Sequence, residues 1–184
     1  MFKELIQRIA NALNVERIPY MIIGGQAILY YGEPRFTKDI DITLGIDVDK
    51  LDYFRNITSI LKLKILVDKV NDFVRKTMVL PCIDESTNIR IDFIFSNTDY
   101  ERQAIQRSVE IKFDEIPVKI ASFEDVVIHK IIAGRPRDIE DIKSILMKNS
   151  KYDKKYISDW LRKFDQSLDQ SFINTFEIIL KDIE

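Results

Sequence analysis

Apolar residues recur at helical spacing from the start of the chain. Phe2, Leu5, Ile6, Ile9 and Leu13 fall on one face, with Lys3, Glu4, Gln7 and Arg8 between them, which predicts an amphipathic helix covering a sheet. After Pro19 the pattern changes. Residues 20–23 (YMII) form a short apolar run stopped by Gly24 and Gly25, and residues 26–31 (QAILYY) read as a helix ending at Gly32, so the order is strand, tight turn, helix. Residues 39–44 (DIDITL) alternate polar and apolar side chains, as a half-buried strand does, and residues 47–63 return to helical spacing. Apolar or alternating runs follow at 73–83, 89–95 and 109–121, the last broken by Asp114 and Glu115 as a hairpin turn would break it.

Beyond residue 121 the chain reads as helical. Ser122 followed by Asp125 marks a capped helix start of the capping-box kind, Gly134-Arg135-Pro136 separates one helix from the next, and Lys148-Asn149-Ser150 precedes a segment centred on Trp160. The expected order is α-β-α-β-α-β-β-α-β-β and then helices. That order predicts an α/β (α+β) fold, a mixed sheet flanked by helices with a C-terminal helical part. The expected division is a core of residues 1–121 and a helical region of residues 122–184 packed on it as one unit, with no linker long enough to separate two domains.

Composition narrows the function. With 184 residues, 46% hydrophobic and 32% charged, the chain can bury one core and is neither disordered nor fibrous. Its 28 basic and 30 acidic residues give a net charge of -2, which argues against a general polyanion binder and leaves only local charge to bind an anion. One cysteine, Cys82, excludes an intramolecular disulfide, and with a single histidine, His129, the ligands for a Cys/His zinc site are missing. Any metal must therefore be held by oxygen. The N-terminal MFKELIQRIANAL has charges among its apolar residues, unlike the core of a signal peptide, and no run approaches the ~20 apolar residues of a membrane span. A cytoplasmic protein with no membrane partner is expected.

The chemistry concentrates on three carboxylates. On the strand DIDITL, Asp39 and Asp41 project from one face while Ile40 and Ile42 point to the other. In IRIDFIF, Asp92 stands opposite the apolar face of Ile91, Phe93 and Phe95. Three carboxylates from neighbouring strands would suit a hard divalent cation, which takes oxygen ligands and often retains phosphate oxygens as well; an Asp-x-Asp taken alone also builds an ordinary solvated sheet face. Gly24 and Gly25 sit between a strand and a helix, where backbone N–H groups and the helix dipole favour a phosphate. Arg35, Thr37 and Lys38 lie next to the carboxylates, with Arg35 the preferred partner of a triphosphate. Lys130 falls inside the apolar arc of its helix, where it either snorkels outward or reaches a phosphate. Asp138 is expected at a helix N-cap with Asp141 in the first turn. Residues 143–163 hold seven Lys or Arg against two Asp, interleaved with Tyr152, Tyr156 and Trp160, a composition that suits RNA.

In combination, an apolar strand, Gly-Gly, a thirteen-residue spacer that contains a helix, Asp-Ile-Asp and a later strand Asp resemble the nucleotidyltransferase superfamily related to DNA polymerase beta. The segment VKIASFEDVVIHKIIAGRPRDIEDIKSIL, followed by YDKKYISDWLRKF, is similar to the region shared by small MNT-type nucleotidyltransferases and the AbiEii-like toxins of type IV toxin-antitoxin systems. The resemblance covers roughly residues 5–165. It implies that Asp39, Asp41 and Asp92 hold two Mg²⁺ (or Mn²⁺), that Asp92 draws off the acceptor's proton, and that Gly24 and Gly25 hold the phosphates. It further implies a phosphate-site role for Lys130 and a functional one for Asp138. The implied reaction is metal-dependent transfer of a nucleoside monophosphate from an NTP to an acceptor hydroxyl. The acceptor would be an RNA 3′ end such as that of tRNA, or a cognate toxin or antitoxin protein; the third reading is a non-catalytic binding module on the same scaffold.

Overall fold

The helical spacing at the N-terminus is realised as α1 (Phe2–Val15), whose Leu5, Ile6, Ile9, Ala10 and Leu13 are all buried. Each large aliphatic side chain so buried contributes about 2 kcal/mol, which a short helix in isolation lacks. The computed structural model describes residues 1–32, 37–96 and 98–183. The chain divides into two compact units, one of Met1–Gln26 with Phe36–Ala121, the other of Ala27–Arg35 with Ser122–Glu184.

In the first unit, β1 (Tyr20–Ile23) leads directly into α2 (Gly24–Tyr31), which continues into the second unit, and β2 (Asp39–Leu44) follows. A 3-10 turn precedes α3 (Leu51–Ile60); then come β3 (Lys64–Ile65), α4 (Val70–Thr77), β4 (Val79–Asp84), β5 (Ile89–Phe95), α5 (Asp99–Gln106), β6 (Val109–Phe113) and β7 (Ile116–Ile120). Among the described residues the strands form one sheet in the order β3-β4-β5-β2-β1-β7-β6. The sheet is mixed: β2 runs parallel to β5, and β1 parallel to β7, while the other pairs are antiparallel.

Register sorts the two faces of the sheet. Ile40, Ile42 and Leu44 of β2 lie beside Ile91, Phe93 and Phe95 of β5, all buried. Phe54 of α3 meets Phe93 and Phe95 edge to face, at ring-centroid distances of 4.9 and 5.6 Å. The core on this face leaves the alternate residues, including the acids, to the other. At the end of β4, Asp84 accepts hydrogen bonds from the hydroxyls of Ser86 and Thr87, each at 2.6 Å, and pairs with Arg8 of α1. The helix is thereby tied to the sheet.

Two elements escape the sequence pattern. Residues 73–83 read as one apolar run, yet Phe73–Thr77 belong to α4 and only Val79–Asp84 to a strand. The helix buries a single residue, Val74, and Met78 at φ 60° ends it one residue before β4 begins, so the two elements read as one run. Strand β3 has two residues, too few for an alternation to be read.

In the second unit, α6 (Phe123–Ala133), α7 (Pro136–Lys148), α8 (Lys154–Leu168) and α9 (Phe172–Ile183) accompany the remainder of α2. The capped start at Ser122 is present: its hydroxyl accepts from the Asp125 N–H at 3.2 Å. Asp138 is not the N-cap of α7. Pro136, which has no N–H to lose, occupies the first helical position and sets the start earlier, so Arg135 is the N-cap and Asp138 the third residue, its carboxylate accepting from the Arg135 N–H at 3.3 Å. Asp141 accordingly falls in the second turn.

Candidate active site

The parallel pairing of β2 and β5 sets Asp41 directly opposite Asp92, with Asp39 opposite Arg90. On the other side of β2, antiparallel pairing sets Ile23, the last residue of β1, opposite Asp41. Residues opposite each other across a ladder share a face, so Asp39, Asp41 and Asp92 all project from the side of the sheet away from Phe54. All three are half-buried. The sequence therefore placed these acids on the correct face, and the register brings two of them side by side.

The Gly24–Gly25 turn adjoins this row. Gly24 has φ +65°, a conformation that favours glycine, and a Cβ built on it would lie 2.1 Å from Asp41 Oδ2. The backbone at the start of α2 thus stands against the carboxylate with no room for a side chain. A helix N-terminus offers N–H donors and a partial positive charge, and here it lies beside a carboxylate within one short stretch of surface.

Around the acids, the Thr37 hydroxyl lies 3.2 Å from Asp39 Oδ1, its donor position on the carboxylate. Lys38 is exposed beside it. Arg35 lies outside the described residues. The basic residue that the structure does bring to the carboxylates is Arg90, whose Nε donates to Asp92 Oδ1 at 2.9 Å. That hydrogen bond, together with the charges of Asp92, Asp39 and Asp41, raises the guanidinium's already high pKa. Arg90 was legible by the same rule that paired Asp39 with Asp41: it stands two residues before Asp92 on one strand.

The donor set suits a hard divalent cation. Asp39, Asp41 and Asp92 offer only oxygen, from one face of two adjacent strands, with the Gly24 backbone lying against Asp41. Among the described residues, however, no three His, Cys, Asp or Glu side chains are drawn together closely enough to form a ready-made ligand group. The pairing of Asp92 with Arg90 lies along β5 and engages one of that carboxylate's oxygens.

Lys130 lies within the second unit and does not snorkel. It is 6% exposed, and its ammonium donates to Asp138 Oδ1 at 2.5 Å and Asp141 Oδ2 at 2.8 Å, both also buried. Burial opposes ionisation of Asp138, yet hydrogen bonds from Lys130 and Arg135 prevail and hold its pKa below the usual value. The three residues thus satisfy one another as an internal ion cluster. In the basic and aromatic segment, Tyr152 packs on Phe123 with ring centroids 5.5 Å apart and the Tyr156 hydroxyl donates to Asp125. Lys155 and Arg162 both pair with Asp159, and Lys143 with Asp182. Lys163 sits 4.0 Å above the Trp160 ring. Much of the aromatic and charged character expected to face RNA is therefore spent on contacts within this unit.

A family model described as nucleotidyltransferase of unknown function (DUF6036) matches residues 1–177. No curated protein matches the chain. Among solved structures, the antibiotic-resistance factor ANT(2'')-Ia is 15% identical, with 91% of this chain and 94% of that chain covered and a TM-score of 0.61. The lincosamide antibiotic adenylyltransferase LnuA, solved with lincomycin bound, is 17% identical over 77% of this chain and 94% of that chain, with a TM-score of 0.55. An antigenic nucleotidyltransferase-like protein of Paracoccidioides brasiliensis is 17% identical over 90% of this chain and 87% of that chain, at a TM-score of 0.57. At such identities the likeness is one of fold.

Proposed function

The chain belongs to this DUF6036 family of nucleotidyltransferases, and we propose that it moves a nucleoside monophosphate from an NTP to an acceptor hydroxyl, with divalent cations held by Asp39, Asp41 and Asp92. The observation that carries the reading is the register of Asp41 with Asp92 beside the bare backbone of Gly24. The glycine meets the positive φ and also lets backbone N–H groups lie against the carboxylate, the close approach that a phosphate bridged to it by a cation requires.

Each residue then has a task. The N–H groups at Gly24 and Gly25 and the dipole of α2 receive phosphate oxygens. Lys38, exposed next to Asp39, adds positive charge for the triphosphate, and the Thr37 hydroxyl holds Asp39 in place. Mg²⁺ bound by the three carboxylates would neutralise the triphosphate and favour the ionised form of the attacking hydroxyl. Asp92, at the edge of the trio nearest β4, accepts the proton of the acceptor hydroxyl on a carboxylate oxygen as the hydroxyl attacks the α-phosphorus and pyrophosphate leaves. Lys130, Asp138 and Asp141 enter this reading as the charged support of the C-terminal unit, since they already satisfy one another.

The acceptor is the open choice within this reaction. ANT(2'')-Ia has been solved in complex with adenylyl-2''-tobramycin, which favours a small hydroxylated compound as one class of acceptor. An RNA 3′ end and a partner protein of a toxin-antitoxin pair are the other classes. The test is incubation with each α-labelled NTP and Mg²⁺ in the presence of total RNA, cell protein or hydroxylated antibiotics. Label should appear in one of the three fractions and be lost in Asp41→Asn. Absence of label from all of them, as for a binding module on the same scaffold, would overturn the proposal.

A further inference from the structure

The three carboxylates carry their own counter-cation. Arg90 shares a face with Asp92, donates to it through Nε at 2.9 Å, and has its Cα opposite Asp39 in the ladder. The arginine side chain is 53% exposed and Asp92 19%, so the guanidinium can leave for solvent on its long stem while the carboxylate stays. One of the three acids is thus engaged by a cation that the protein itself supplies.

We infer that Arg90 is a positioning residue that competes with a divalent cation for Asp92 and is displaced when the cation recruits that carboxylate. The inference rests on the proposed metal-dependent reading and extends it. Three acids on one sheet face without a cation would repel, and an arginine paired with one of them relieves this at the cost of competing with the metal. Exchange of one cation for another leaves the charge on the face nearly balanced. It also frees a guanidinium beside the triphosphate, where a bidentate donor suits phosphate oxygens.

The readout is Mn²⁺ binding to the full chain without nucleotide, followed by the loss of the free Mn²⁺ signal in electron paramagnetic resonance. Arg90→Gln should bind Mn²⁺ about fivefold more tightly than wild type, the scale set by loss of a partly exposed ion pair. Arg90→Lys, which keeps the charge, should stay within about twofold of wild type on the same scale. The gain should vanish in the Asp92→Asn background, because the competition acts through that carboxylate. Equal affinity of wild type and Arg90→Gln, or an undiminished gain in the Asp92→Asn background, would overturn the inference while leaving the metal site intact. If no variant, wild type included, binds Mn²⁺, the metal-dependent reading fails and this inference with it. Because Arg90 is half-exposed, unchanged thermal melting of the variants is expected and separates these outcomes from misfolding.

Discussion

Gly24 and Asp41 stand so close that a Cβ on the glycine would lie 2.1 Å from the carboxylate Oδ2. The contact joins the end of β1 and the start of α2 to the middle of β2, and it brings backbone N–H donors and a carboxylate together with nothing between them. Replacement of Gly24 by Ala meets two obstacles: the φ of +65° and the oxygen itself. A loss of about 1 to 3 kcal/mol is expected from the backbone conformation and the displaced carboxylate. Urea denaturation checks the stability, and label transfer checks the site. Transfer should fall further than the fraction of folded protein does, since Asp41 must move.

Lys130 predicts a stability effect remote from the chemistry. Lys130→Met leaves Asp138 and Asp141 buried without their shared cation, which should cost about 3 to 5 kcal/mol. Adding Asp138→Asn and Asp141→Asn to Lys130→Met should restore part of the loss, because no buried charge is then left unpaired. Urea denaturation of the single and triple variants provides the comparison. A single variant as stable as wild type would show that the cluster contributes nothing.

Asp84 predicts the acid limb of stability. Burial pushes its pKa up, but hydrogen bonds from Ser86, Thr87 and Arg8 outweigh burial and bring it down to about 2. A carboxyl whose folded pKa lies below its unfolded value stabilises the fold above the unfolded pKa, near 4, and loses that contribution as pH falls towards 2. The shift corresponds to about 2 kcal/mol. Thermal melting between pH 5 and pH 2 should show a shallower decline for Asp84→Asn than for wild type, from a lower starting stability.

Cys82 should be inert in the folded protein. Burial, with a smaller contribution from the negative charge of Asp92, pushes its thiol up to about 12, and the thiolate is the reactive form. Iodoacetamide at pH 8 should leave it unmodified by mass spectrometry until denaturant is added. Rapid alkylation of the native protein would show that β4 opens.

The strands that carry the acids were legible because each alternates over six or seven residues with one face fully apolar: Ile40, Ile42 and Leu44, and Ile91, Phe93 and Phe95. Alternation places Asp39, Asp41 and Asp92 on the other face, but it says nothing of which strand neighbours which. The opposition of Asp41 and Asp92 comes from pairing across about fifty residues of sequence, and the approach of Gly24 to Asp41 from the antiparallel pairing that sets Ile23 opposite Asp41. Helix α4 stayed hidden because it is short and runs through Met78 directly into β4, so that the two read as a single apolar run. Lys130 shows the same limit. The wheel identified a lysine in an apolar arc, while its two partners lie on the next helix, where only tertiary packing brings them within hydrogen-bonding distance. The N-cap of α7 was misplaced because Asp138 suits a cap by type, whereas Pro136 decides the start by geometry.

The most direct test of nucleotidyl transfer follows two labels of one substrate. With Mg²⁺ and the acceptor fraction that accepts label, an NTP labelled at the α-phosphate should leave its label on the acceptor, and the same NTP labelled at the γ-phosphate should release it as pyrophosphate. Both events should be lost in Asp41→Asn. Label from the γ-position on the acceptor, or undiminished α-label transfer by Asp41→Asn, would contradict the account.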